Sequence, residues 1–234
     1  MVSGKTKHKS RNFRKKLSAF ARRNHETFWL ATTFLPAEER LRALCMLCLD
    51  GEFYRIVDTV QEPMVAQIRL QWWRDEIEKM QNGADSQATL PAEALDLLLS
   101  QSAENRKWVE RLIDAYDDGL SGAGQRHAQT LFAVMLAGTG KHDDQIRSVA
   151  ERAGQVFRSS NAGSLAKDDV LAFACMLSET PDGFWPWLSL FTFLPDWHHS
   201  RKPSSLTRRW RLFSAFLGGE RKLATRLRSF ADTL

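Results

Sequence analysis

The chain is poor in cysteine and has no long apolar run. Of its 234 residues only Cys45, Cys48 and Cys175 are cysteines. An odd count without secretory features argues against a disulfide-built secreted fold and for a reducing compartment. No apolar stretch reaches the roughly 18 residues that a transmembrane helix needs. No segment alternates convincingly between apolar and polar residues, so strands are not expected. The chain also lacks a glycine-rich phosphate loop, a serine nucleophile elbow and an internal repeat. No recognised nucleic-acid-binding motif is present, and no nucleic-acid partner is expected.

Acid is missing from the first 25 positions, where nine lysines and arginines lie before residue 24. The first acid is Glu26. Phe13, Leu17 and Phe20 fall at i, i+4 and i+7, one face of a helix. Residues 1–25 are therefore read as a basic amphipathic extension. It is the solvated start of the first helix, a membrane-surface helix in which Phe13, Arg14, Lys15, Lys16, Leu17 and Phe20 make the contact, or a targeting segment. The net charge of +5 suits an anionic lipid surface or phosphate-bearing partners.

The rest, residues 26–234, reads as one domain built of successive helices. "LPAEERLRALCMLCL" opens on Pro36 with Glu38 and Glu39 at the positive end of the helix dipole. "EPMVAQIRLQWWRDEIEKMQNG" opens on Glu62 and Pro63 and stops at Asn82 and Gly83. "LPAEALDLLLSQS", "RKWVERLIDAYDDGL", "HAQTLFAVMLAGTG", "DDQIRSVAERAGQVFRS", "KDDVLAFACML" and "TRRWRLFSAFLGG" follow. The stretch 178–205 holds four of the seven prolines and three of the eight tryptophans. It is expected to be irregular, as a lid, a partner surface or a loop packed on the core.

Few side chains in this pattern offer chemistry. "CMLC" has metal or redox spacing but lies in the apolar run "LRALCMLCL", which favours buried thiols. His198 and His199 are adjacent, poor geometry for two ligands on one metal. Asp114 and Asp118 stand at i and i+4 on one helical face. They would hold Mg2+ against a diphosphate, or form a solvated helix end. Asp143, Asp144, Asp168 and Asp169 read as acids at helix starts.

"FWLATTFLPAEERLRALCMLCLDGEFYRIVDTV" followed by "EPMVAQIRLQWWRDEIEKM" resembles the squalene and phytoene synthase family. That family joins two isoprenoid diphosphates inside an all-helical prenyl-synthase fold. The resemblance implies an all-α, single-domain bundle. It also implies that Trp72 and Trp73 pack their helix while Arg69 and Glu76 face a central cavity, with Asp114 and Asp118 lining it. Residues 69, 72, 73 and 76 do share one side of a helix.

Family enzymes carry two aspartate-rich motifs that hold Mg2+ on the substrate diphosphates. Against the first, D-D-I-x-D, this chain reads "YRIVD". Asp58 remains, but Tyr54 and Arg55 replace the leading acids, and neither supplies a hard anionic oxygen. The second acidic run is missing from "AGQVFRSSNAGSLAKDDVLAF". No metal, cofactor or catalytic residue is then expected. "EPM" and "IRLQWWRD" resemble the branch of the family formed by respiratory complex I assembly factors. That resemblance implies a pseudoenzyme with a protein partner in a respiratory-complex assembly pathway. It would work peripherally at the inner membrane, in the mitochondrial matrix or the bacterial cytoplasm. Two alternatives remain: an active isoprenoid diphosphate transferase with remodelled Mg2+ ligands, or a non-catalytic carrier of a prenyl lipid.

Overall fold

The structure is a computed structural model that describes residues 4–83, 88–120, 127–137, 143–177, 184–199 and 204–234. Its described regular structure is entirely helical. In chain order it runs α1 (Gly4–Asn24), α2 (Glu26–Ala31), a 3-10 turn (Thr32–Phe34), α3 (Ala37–Thr59), α4 (Pro63–Gln81), α5 (Leu90–Gln101) and α6 (Ala103–Asp118). Then come α7 (His127–Leu136), α8 (Asp143–Asn161), α9 (Lys167–Leu177), α10 (Trp185–Leu188), a second 3-10 turn (Ser189–Phe193), α11 (Leu194–His198) and α12 (Ser205–Ala231). The chain forms two compact units. One comprises Met1–Trp29 and Pro36–His127, the other Leu30–Leu35 and Ala128–Leu234.

In the first unit α3 is the centre, packed by α1, α4, α5 and α6. Every residue from Ala43 to Gly51 is buried. A helix that is apolar all round must be enclosed, and "ALCMLCL" meets that condition. Cys45 and Cys48 lie inside it, and burial pushes the Cys45 thiol up to about 12. They are core thiols, protonated and inert. Helix α4 starts with Pro63 in its first turn and buries Ala66, Leu70, Trp73 and Ile77 at helical spacing. Trp73 meets Phe53 edge to face at 5.7 Å, and Phe53 meets Tyr116 at 6.1 Å. Helices α5 and α6 begin on Thr89 and Ser102, whose hydroxyls accept from the backbone N–H of Ala92 and Glu104.

Helix α1 corrects one expectation. Leu17 and Ala21 are fully buried and α1 packs on α3 and α5. Phe20 is half-buried with its ring over Gly51, and Phe13 is half-buried. The apolar face expected to enter a membrane is thus used by the fold itself, and only Arg14, Lys15 and Lys16 of that set stand exposed.

The second unit has an aromatic core. Phe132 packs on Phe157 at 5.8 Å and on Phe191 at 5.6 Å, and Phe173 packs on Phe191 at 4.3 Å. Trp197 closes over Phe157 at 4.9 Å. The described part of the proline-rich stretch, 184–199, is therefore neither lid nor open surface. It winds into α10, the second 3-10 turn and α11, with Phe184, Trp187, Leu190, Phe191 and Phe193 buried. Residues 178–183 and 200–203 lie outside the described residues. At Gly154 the backbones of α8 and α7 nearly touch: a Cβ there would sit 2.6 Å from the Gln129 backbone. Helix α12 packs on α9 and the second 3-10 turn. It bends at Gly219, whose φ of 71° and ψ of 177° lie in a region that is essentially glycine-only. The sequence pattern ends this helix at Gly219, whereas after the bend it continues to Ala231.

Candidate functional site

The residues picked out by sequence fall at two places on the first unit. Tyr54, Arg55 and Asp58 are all exposed on the outer side of α3. The Tyr54 hydroxyl donates to Asp58 at 3.3 Å. Arg55 donates to Glu52 through Nε at 3.1 Å and through a terminal nitrogen at 2.5 Å. The one remaining carboxylate of this motif is engaged by a phenol, and the guanidinium beside it by its own helix. Mg2+ requires several oxygen ligands converging at octahedral spacing. These residues do not fit it.

The α4 set divides. Trp73 and Glu76 are buried, Trp72 is half-buried and Arg69 is exposed. Arg69 therefore does not face an internal cavity, contrary to the family-based expectation. Ala66, Leu70, Trp73 and Ile77 define the inward stripe, and position 69 lies 100° from its neighbour Leu70. Glu76 takes Lys79 at 2.8 Å.

Arg74 carries the decisive contact. Its guanidinium reaches across to α6, 2.9 Å from the Asp114 carboxylate and 3.1 Å from that of Asp117. Desolvation opposes its charge, but the hydrogen bonds and charges of the two aspartates outweigh this and raise its pKa. The pair held together is thus Asp114 and Asp117, not the expected Asp114 and Asp118, and the cation between them is a side chain. Asp114 is itself exposed rather than lining a cavity. In the second unit Asp169 accepts from Gln155 at 3.0 Å. Among the described residues no group of three or more His, Cys, Asp or Glu is placed to hold a metal ion.

Sequence reasoning missed an enclosed polar cluster among the described residues. Asp50, in the buried stretch of α3, is completely inaccessible. Tyr116 on α6 donates its hydroxyl to the Asp50 carboxylate at 2.9 Å and lies 3.1 Å from the Asp50 carbonyl oxygen. His127 Nε2 is 2.8 Å from one carboxylate oxygen. His25, between α1 and α2, has Nε2 3.2 Å from the other, without hydrogen-bond alignment.

The charges settle unevenly. Burial pushes Asp50 up, but the charge and hydrogen bond of His127, the charge of His25 and the Tyr116 hydrogen bond together hold it below the usual carboxylate range. Burial works against the His127 cation, yet the Asp50 charge and hydrogen bond raise it. His25 is lowered by burial, partly offset by Asp50 and reinforced by His127. The cluster therefore favours a proton on His127 over one on His25. The His127 Nε2 is engaged by Asp50, so that nitrogen is not available to a metal. The cluster ties α3 to the α1–α2 junction, to α6 and to the start of α7. The only signal in the sequence was a lone acid inside an apolar run, "LCMLCLDGEF".

The family model described as squalene/phytoene synthase matches residues 21–162, more than half of the chain. The chain belongs to the squalene/phytoene synthase family. The protein is similar to a Bos taurus protein described as NADH dehydrogenase (ubiquinone) complex I, assembly factor 6, at 26% identity over 117 residues. That match covers 49% of this chain and 34% of the cattle protein, so the chain spans about a third of that relative's length. No solved structure matches the chain. The family match begins within α1 and takes in the whole Asp50 cluster, the Arg74 contact and the "YRIVD" segment.

Proposed function

We propose that this squalene/phytoene synthase family member is a pseudoenzyme that serves as an assembly or interaction factor for a membrane respiratory complex of the complex I type. One observation carries the reading: Arg74 occupies the space between Asp114 and Asp117. A tethered side-chain cation is what these two carboxylates hold. The paired Tyr54–Asp58 and Arg55–Glu52 side chains support the same conclusion. So does the described role of the cattle relative, weighed against the short span of the match. The expected place of work is the inner-membrane periphery, with a protein rather than an isoprenoid diphosphate as partner.

Two measurements test it. Incubation with farnesyl or geranylgeranyl diphosphate and Mg2+ or Mn2+ is expected to give no condensed product. Product formation that disappears in Asp58→Asn would overturn the pseudoenzyme reading. In cells lacking the chain, native gels are expected to show loss of the assembled complex, restored equally by the parent and by Asp58→Asn. Normal assembly without the chain would overturn the assembly role.

A further inference from the structure

Helix α12 has a second face that the fold does not use. Trp210, Phe213 and Leu217 follow one another at i, i+3 and i+7, and are 69%, 44% and 68% exposed. The Trp210 and Phe213 rings lie 6.2 Å apart. Three large apolar side chains in one exposed row are unusual on a surface that touches only water. The same helix, Ser205–Ala231, carries seven arginines and lysines and a single acid, Glu220. Arg209, Arg221, Lys222 and Arg226 are exposed.

Beside the row opens a cavity of about 290 Å³. Phe191, Pro195, Leu223 and Leu227 form apolar walls, and Trp210 and Arg226 also border it. Arg211, also on its wall, is tied to Asp196 and donates to the Thr192 carbonyl. Arg226, by contrast, makes no hydrogen bond or ion pair with any described residue, and so leaves a guanidinium available beside an apolar cavity.

We propose that the kinked helix α12 lies on an anionic phospholipid surface. Trp210, Phe213 and Leu217 enter the boundary between headgroups and acyl chains, and Arg226 takes a lipid phosphate. Excess positive charge together with a Trp/Phe/Leu row is the composition of an interfacial helix. No described helix is long and apolar enough to cross a membrane, so the helix lies on the surface and does not span it. The Gly219 bend lets the apolar row and the basic second half meet a plane at different angles. The surface assigned is α12 and not the basic α1, whose Leu17 is fully buried. This inference deepens the membrane-periphery part of the proposed function, while its vesicle test is independent of the assembly test.

Flotation of the full chain with vesicles tests it. Vesicles of phosphatidylcholine with phosphatidylglycerol are expected to bind the protein, and phosphatidylcholine alone to bind it poorly. Trp210→Ser, Phe213→Ser and Leu217→Ser together should weaken binding by about tenfold or more, because the interfacial apolar contact is gone. Arg226→Glu should weaken binding to the anionic vesicles only. Arg14→Gln, Lys15→Gln and Lys16→Gln together should weaken binding clearly less than the α12 triple variant, since those side chains are not part of the assigned surface. As a measurement on a nearly unchanged protein, brominated lipid should quench the parent's fluorescence more than that of Trp210→Phe. Undiminished binding of the α12 triple variant, or loss of binding in the α1 variant alone, would overturn the proposal. So would a parent that binds neither vesicle, which leaves the face to a protein partner. A dimer that Trp210→Ser converts to monomer, with vesicle binding unchanged, would assign it to a second copy.

Discussion

Asp50 is the residue on which the first unit is most exacting. It is a carboxylate with no access to water, and its charge is balanced by His127 and hydrogen-bonded by Tyr116. Replacing it with alanine leaves the Tyr116 hydroxyl and the His127 imidazole without their partner, so Asp50→Ala is expected to destabilise by about 1–3 kcal/mol in urea unfolding. The pH dependence follows from the directions of the shifts. The raised pKa of His127 makes its contribution complete below the ordinary histidine value of 6.5, and lost as pH rises through the folded value. The lowered pKa of Asp50 makes its contribution present above the carboxylate range and lost as pH falls through its folded value. His25, lowered, acts against the fold below the same 6.5 and is silent above it. Above that pH the parent's melting temperature is expected to fall as His127 deprotonates, and His127→Gln should lack this component. Because His127 keeps 33% of its side chain exposed, solvent screens the effect. Equal slopes for parent and variant would dissociate His127 from the network. Trp73→Ala should cost about 3–5 kcal/mol by cavity formation. Trp72→Ala should cost clearly less and Arg69→Ala within about 0.5 kcal/mol, as suits an exposed side chain.

Among the elements, the helices with the strongest local signals are the ones the sequence reveals. Pro63, Pro91 and the Asn82–Gly83 stop mark the limits of α4 and α5 through backbone constraints that act within a few residues. Helix α3 is legible because a run that is apolar on every side leaves no solvated face. The orientation of α4 was legible in part. Family resemblance put 69 and 76 inward together; Glu76 is buried with Leu70, Trp73 and Ile77, whereas Arg69 is exposed. The Asp50 cluster was not legible, since His25, Tyr116 and His127 lie 25, 66 and 77 residues away and no local rule joins them. The stretch 184–199 misled because its prolines signal irregular chain while its aromatics fill a core. Gly154 shows an element-scale constraint that no pattern announces. Gly154→Ala would drive a Cβ into the Gln129 backbone, which cannot move aside as a side chain could. It is expected to cost about 1–3 kcal/mol, read as a lower urea midpoint.

For the whole molecule, the clearest revision concerns its beginning. Residues 1–23 resemble a detachable basic arm, yet Leu17 and Ala21 are fully buried against the first unit. Their deletion is expected to lower the melting temperature by about 10 °C or more, the effect of losing a packed leucine face in a chain of this size. A truncated chain that melts with the parent would return the segment to the status of an appendage. The Arg74 contact has a consequence at the same scale. A bound ion can be stripped by a chelator, diluted away or exchanged for another ion of the same charge. A guanidinium fixed to α4 cannot leave, and it stays charged throughout the accessible pH range. The join between α4 and α6 is therefore constitutive. Its charge balance is supplied by side chains of the chain itself.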